Sequence, residues 1–159
     1  MANVYSQVYI QLIFAVKGRS NLIRNDRRED VQKYITGIIQ NKGQKVLAIY
    51  SNPDHIHILV GLNKFDVSIS ELVRDIKASS SKMINEECWF LGKFHWQEGY
   101  GVFSYSKSQI DQVAKYVLNQ EAHHKKQTFR QEYVEILEKF EIDFKNEYLF
   151  EFYEGEEGN

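Results

Sequence analysis

Proline is almost missing from this chain of 159 residues, which holds one Pro and nine Gly. No stretch reads as a flexible or polyproline linker, and no internal repeat is visible, so one domain over residues 1–150 is expected. A single cysteine, Cys88, excludes an internal disulfide framework and suits a reducing compartment. No apolar run approaches the roughly 18 residues that a membrane span needs. The N-terminal stretch lacks a basic patch followed by an apolar core, so no secretory leader is expected and a cytoplasmic location is. Neither charge sign dominates: the net charge is −2.

The total hides an asymmetry. Residues 1–119 carry 15 basic and 11 acidic side chains, whereas residues 120–159 carry 5 basic and 11 acidic. A mildly basic body is compatible with nucleic acid without demanding it, and residues 151–159 read as a solvated acidic tail. Apolar residues make up 43% and charged residues 26%, the balance of an ordinary globular protein.

Periodicity orders the chain. Val4 to Val16 is β-branched and aromatic and reads as a strand. Val31, Tyr34, Ile35, Ile38 and Ile39 recur at helical spacing between Asp26 and Asn41, which Gly43 closes. Gln44–Ser51 and His55–Leu62 are strands joined across Pro53-Asp54. Ser68 or Ser70 caps a helix reaching about Glu87, with Glu71 in its first turn. Phe94–Tyr105 reads as a fourth strand, Ser108 as the cap of a helix through Leu118, and Thr128 as the start of a last helix. The order predicts an α+β fold: a ferredoxin-like split βαβ unit with an antiparallel sheet and helices on one face, followed by C-terminal helices.

The chemistry concentrates in His55-Ile56-His57. Side chains alternate along a strand, so both imidazoles point to one face, a pleat apart. That is half of a metal site, and phosphodiester chemistry on a metal requires a further ligand. Downstream, Tyr116 and Gln120 are four residues apart on a predicted helix, one turn above the other. A histidine-triad hydrolase is excluded because Leu59 occupies the third alternating place, and a two-histidine phosphodiesterase because there is one His-x-His and no second motif.

Four stretches together, Leu12 to Arg19 (LIFAVKGR), Pro53 to Val60 (PDHIHILV), Phe94 to Ser104 (FHWQEGYGVFS) and Lys115 to His124 (KYVLNQEAHH), resemble the single-tyrosine HUH transposases of bacterial insertion sequences, the IS200-like TnpA type, and their domesticated repeat-associated relatives. The resemblance runs from about Tyr5 to about Phe140. It implies Tyr116 as the nucleophile, His55, His57 and Gln120 as ligands of a divalent metal, Mg²⁺ or Mn²⁺, and a homodimer in which one subunit's tyrosine helix can serve the other's histidines. The implied substrate is single-stranded DNA with hairpin ends, cut through a 5′-phosphotyrosine. A domesticated single-strand nuclease and a non-catalytic nucleic-acid-binding protein of the same fold are the alternatives. One departure is Gln11, where many members carry His.

Lys17, Arg19, Lys77, Lys82 and Trp96 are candidates for DNA contact, cations for the backbone and a ring for stacking. Lys77 and Lys82 otherwise read as a solvated helix face, His123 and His124 as a solvated helix end, and His95 as a packing residue of the aromatic strand. Asp54 shapes the turn or orients a histidine. Gly99 and Gly101 mark a bulge.

Overall fold

A computed structural model describes residues 3–153. Its centre is a sheet of four antiparallel strands, β1 (Val8–Ala15), β2 (Lys45–Ser51), β3 (His55–Leu62) and β4 (Gly101–Tyr105). They lie in the order β2-β3-β1-β4, the ferredoxin-like arrangement that the element order predicts. Five helices accompany it: α1 (Arg28–Asn41), α2 (Ile69–Glu86), α3 (Ile110–Leu118), α4 (Gln120–His124) and α5 (Phe129–Lys139).

Alternation divides the side chains of the central strands between two faces. Ile10, Leu12 and Phe14 of β1 and Ile56, Ile58 and Val60 of β3 point one way. They form one apolar core with Val31, Ile35 and Ile39 of α1 and Leu72, Val73, Ile76 and Ile84 of α2. Each fully buried side chain of this size is worth about 1.5–3 kcal/mol. Gln11, His55 and His57 point the other way. The C-terminal helices cover this face, while α1 and α2 share the other, as expected of the split βαβ unit. α3 packs on β2 and β3 through Ile110 and Val117 against Ala48 and Leu59. α5 lies over β4, and its Tyr133 comes so close to Gly101 that a Cβ there would stand 2.7 Å from the phenol oxygen.

Local signals set the helix starts. Ser68 accepts from the backbone N–H of Glu71 at 3.1 Å, and Thr128 forms a capping box with Gln131. The cap before α3 is Ser106 rather than Ser108: Ser106 and Gln109 cap each other around a 3₁₀ turn that leads into the helix. β2 carries a bulge between Val46 and Ala48, where Val46 pairs with Val60 and Ala48 already with Leu59. The extra residue, Leu47, joins Ala48 in the small cluster beneath α3.

The fourth strand is shorter than the sequence suggests. Phe94 to Tyr100 is irregular apart from one bridge between Trp96 and Val16. Gly99 at φ 86° breaks the extended run. The Lys77 ammonium donates to the carbonyls of Gln97 and Gly99 at 2.9 and 2.6 Å. It thus takes the acceptors that a neighbouring strand would otherwise have used. Glu151–Tyr153, the first residues of the expected tail, pack onto this segment. Glu151 exchanges backbone hydrogen bonds with the Gln97 side chain, and the Tyr153 hydroxyl accepts from the Gly18 N–H at 2.6 Å. Residues 154–159 lie outside the described residues.

Candidate active site

β3 delivers His55 and His57 to the face covered by the C-terminal helices, and both side chains are fully buried. Each ring is fixed from behind. His55 Nδ1 donates to Asp54 Oδ1 at 2.7 Å, and His57 Nδ1 donates to Gln11 Oε1 at 2.7 Å. The Gln11 amide is itself oriented, since its Nε2 donates to the Tyr105 hydroxyl at 2.8 Å. With Nδ1 turned to these acceptors, each Nε2 points inward, the nitrogen that would meet a metal once it carries no proton. His55 also stacks on Phe129 of α5, with ring centroids 3.7 Å apart and planes 4° apart.

Tyr116 comes from the last turn of α3. Its hydroxyl donates to Glu132 Oε2, and its ring lies 6.0 Å from that of His57, centroid to centroid. The helix does not run straight on to Gln120. It breaks at Asn119, and Gln120 opens α4. The two stay joined because Gln120 Nε2 donates to the Tyr116 carbonyl at 3.3 Å. The Gln120 side chain is fully buried, and its Oε1 accepts from Asn52 Nδ2 at 3.3 Å. The four residues to which the resemblance gives roles, His55, His57, Tyr116 and Gln120, therefore meet within one chain.

Two further residues belong to the cluster. His124, read from sequence as a solvated helix end, turns inward: its Nε2 lies 3.1 Å from Gln120 Oε1 and 3.2 Å from Glu132 Oε1. Glu132 is 2% exposed. Its Oε1 also lies 3.0 Å from His57 Nε2 and 3.2 Å from His55 Nε2. One ligand atom from each of His55, His57, His124 and Glu132 falls within 4.8 Å of the others. Sequence offered a faint signal for both. His124 continues the stripe of Tyr116 and Gln120 by one more turn, and Glu132 interrupts the apolar stripe of Phe129, Tyr133 and Ile136.

The electrostatics follow from this crowding. Burial alone would push the Glu132 carboxyl up, but His57, His124 and His55 together hold it well below the usual range. Burial lowers His57. Burial also acts to lower His55, but hydrogen bonds to Asp54 and Glu132 outweigh it and raise the ring above its ordinary value. Burial, then the adjacent Glu132 charge, raises the Tyr116 phenol far above its ordinary value, so it is a neutral hydroxyl. Nitrogen and oxygen donors in this set suit a divalent cation of the Mn²⁺, Mg²⁺ or Zn²⁺ kind. His55, His57, His124 and Glu132 are the residues that would hold it, with the Gln120 amide oxygen beside them.

Two clefts flank the cluster. One of about 700 Å³ includes Asp54, His124, Arg19, Lys125 and Lys126. The other, of about 460 Å³, includes Tyr116, Gln11, Tyr105 and Phe140. Exposed Lys17 and Arg19 leave the end of β1, and Arg19 reaches the first cleft. Lys77 and Lys82 are on α2, across the sheet from the histidines. Lys77 is clamped by two carbonyls instead of being solvated, while Lys82 is exposed, 3.9 Å from Glu86. Trp96 is a core residue, 7% exposed, donating to Ser80 Oγ at 2.9 Å and edge-on to Phe14 and Phe94. That corrects its reading as a stacking surface, because only a small part of the side chain reaches solvent. His95 is exposed rather than packed.

A family model described as Transposase IS200 like matches residues 4–120. The chain belongs to the IS200-like transposase family. The ISDra2 transposase TnpA of Deinococcus radiodurans is 23% identical over 121 residues, 72% of this chain and 84% of that protein. Two solved structures share the fold. A candidate transposase from Deinococcus radiodurans R1 superposes with a TM-score of 0.57 at 22% identity, covering 76% of this chain and 95% of its own. A REP-associated tyrosine transposase bound to a REP hairpin superposes with a TM-score of 0.59 at 14% identity, covering 78% of this chain and 73% of its own. Among the described residues, no helix of this IS200-like transposase is long and apolar enough to cross a membrane.

Proposed function

We propose that this IS200-like transposase cuts and rejoins single-stranded DNA, with Tyr116 as nucleophile. His55, His57 and Gln120, joined by His124 and Glu132, hold a divalent cation, Mg²⁺ or Mn²⁺. The observation that carries this reading is that one side chain, Glu132, touches both the Tyr116 hydroxyl and the imidazole nitrogens of His55 and His57. Nucleophile and metal donors are therefore within reach of one phosphate.

The chain's own groups divide the work. Asp54 and Gln11 fix the imidazoles. Gln120 ties the metal set to the tyrosine turn through the Tyr116 carbonyl. Arg19, Lys125 and Lys126 give the larger cleft the positive charge that draws a phosphate backbone. A divalent cation in this set supplies charge neutralisation at the scissile phosphate and eases departure of the 3′ oxygen. Attack by the Tyr116 oxygen leaves a 5′-phosphotyrosine and a free 3′-OH. Since one phosphodiester replaces another, a second 3′-OH can rejoin the strand without ATP. Because Tyr116 lies beside its own chain's histidines, a homodimer would carry two such sites, each complete within one chain. A hairpin-bearing strand is the proposed substrate form, and the cytoplasm the proposed compartment.

Full-length protein mixed with single-stranded DNA carrying a hairpin end, plus Mn²⁺ or Mg²⁺, is expected to give a covalent protein–DNA adduct on a denaturing gel. The adduct should vanish with chelator and in Tyr116→Phe, and duplex DNA of the same sequence should give none. An adduct that persists in Tyr116→Phe refutes the nucleophile. Binding without any adduct favours the non-catalytic alternative.

A further inference from the structure

The two clefts beside the cluster differ in chemistry. The larger one carries Arg19, Lys125 and Lys126. The smaller one, about 460 Å³, falls in the size range of small-ligand sites. Among the described residues, no carboxylate lines it, and its one cation, Lys139, pairs with Glu135 at 3.3 Å. Its walls are instead rings and amides: Tyr105, Tyr116 and Phe140 with Gln11, Gln109 and Gln112. Gln11 is already committed to His57 and to the Tyr105 hydroxyl. Gln109 turns its Oε1 to Ser106, accepting from the backbone N–H at 3.0 Å and the hydroxyl at 3.2 Å. Gln112 is exposed, and its amide makes no hydrogen bond among the described residues.

Gln112 lies in the first turn of α3, four residues before Tyr116. The two therefore share one helix face, a turn apart, with Cβ atoms about 5–6 Å from each other. That is a span one nucleotide covers from its phosphate to its base, so a phosphate at the Tyr116 hydroxyl holds a neighbouring base over this cleft. Charge decides which part of a strand suits it. A phosphate seeks the cations of the larger cleft, whereas a base is neutral, stacks on rings and pairs with amides. Phe140, 39% exposed, supplies a ring at the end of α5, edge-on to Tyr105 with centroids 5.7 Å apart. Resting on the reading of Tyr116 as nucleophile, we propose that this cleft binds one unpaired nucleobase beside the scissile phosphate, with Phe140 stacked on it and Gln112 reading its edge. An amide offers one donor and one acceptor, the pair that adenine N7 and N6 complete, so adenine is the base expected. The cutting position is then chosen partly by Gln112 and not by the hairpin alone.

A pool of hairpin-ended single strands, randomised outside the stem, tests the assignment. Wild-type protein with Mn²⁺ sorts the pool by covalent adduct. Tyr116→Phe, which keeps the ring and is expected to form no adduct, sorts it by affinity. Strands with adenine at one fixed position should be enriched about 5–150-fold over the other bases in both sorts. Gln112→Leu, a change at an exposed position, should remove that preference and leave those at other positions unchanged. Phe140→Ala should weaken binding to every member of the pool alike, by about 5–150-fold, the range for one lost base stack. Phe140→Tyr, which keeps a ring, should bind as wild type does. A pool with no preferred base at any unpaired position, or one whose every preference survives Gln112→Leu, overturns the base site. Undiminished binding in Phe140→Ala overturns the stack, and a Gln112-dependent preference for another base overturns the adenine pairing. Adenine enriched by affinity without any wild-type adduct would sink the nucleophile alone, whereas an adduct formed with no base preference would sink only the base site.

Discussion

The two faces of the sheet use the same strands for opposite purposes. Toward α1 and α2, β1 and β3 show Ile10, Leu12, Phe14, Ile56, Ile58 and Val60, all buried and all apolar. Toward α3, α4 and α5, Ile13 and Leu59 are apolar, but Gln11, His55 and His57 are just as buried and polar, and each is hydrogen-bonded. Burial of the first set stabilises the molecule. Burial of the second costs free energy unless every donor and acceptor is met, so its side chains are held in nearly fixed positions. The single step from Ile56 to His57 along β3 moves from an apolar core position to a hydrogen-bonded polar one.

Neighbours on β3 provide the sharpest way to break the contrast. Ile58→Ala should cost about 2–5 kcal/mol of stability in urea unfolding while leaving Mn²⁺ affinity within a few-fold. His57→Ala should abolish adduct formation and lower Mn²⁺ affinity at least as far as the loss of a supporting group does. If His57→Ala binds Mn²⁺ as tightly as wild type, the polar face is not a metal site. A smaller effect is expected from behind the ring: Asp54→Asn should weaken Mn²⁺ binding by about 10–100-fold, since it removes the carboxylate that orients His55. Calorimetry that finds no change would show that His55 needs no such support.

The smallest expected effect is on acid stability. The imidazoles hold Glu132 below its ordinary 4.5 in the folded chain despite burial. Its contribution is therefore complete above the unfolded value and is lost as pH falls through the folded one. Urea midpoints measured downward from pH 5 should fall more steeply for wild type than for Glu132→Gln. Parallel slopes would show that the carboxylate is not held by the rings.

Sequence made most of the fold legible because alternation and helical spacing were strong where the core is strongest. The strand with the two histidines, both core helices and the α2 and α5 caps follow from residue pattern alone. Phe94 to Tyr100 misled because its aromatic content mimics a strand. Its chain direction is set instead by Gly99 and by the reach of Lys77, neither of which leaves a periodic mark. His55, His57, Tyr116 and Gln120 were legible through motif and resemblance. His124 and Glu132 were not, because their partners are distant in the chain: Glu132 is 75 positions from His57. A lone carboxylate on an apolar stripe signals a buried partner without saying which one.

The bulge in β2 has a reach beyond its own strand. By letting Leu47 and Ala48 both join the patch under α3, one surplus residue sets the shelf on which Ile110 and Val117 rest. Tyr116 is adjacent to Val117 in the chain, so the height of its hydroxyl above the histidine rings depends on an insertion in a strand that supplies none of the cluster's side chains. Deleting that residue would tilt the platform and leave every ligand in the sequence intact.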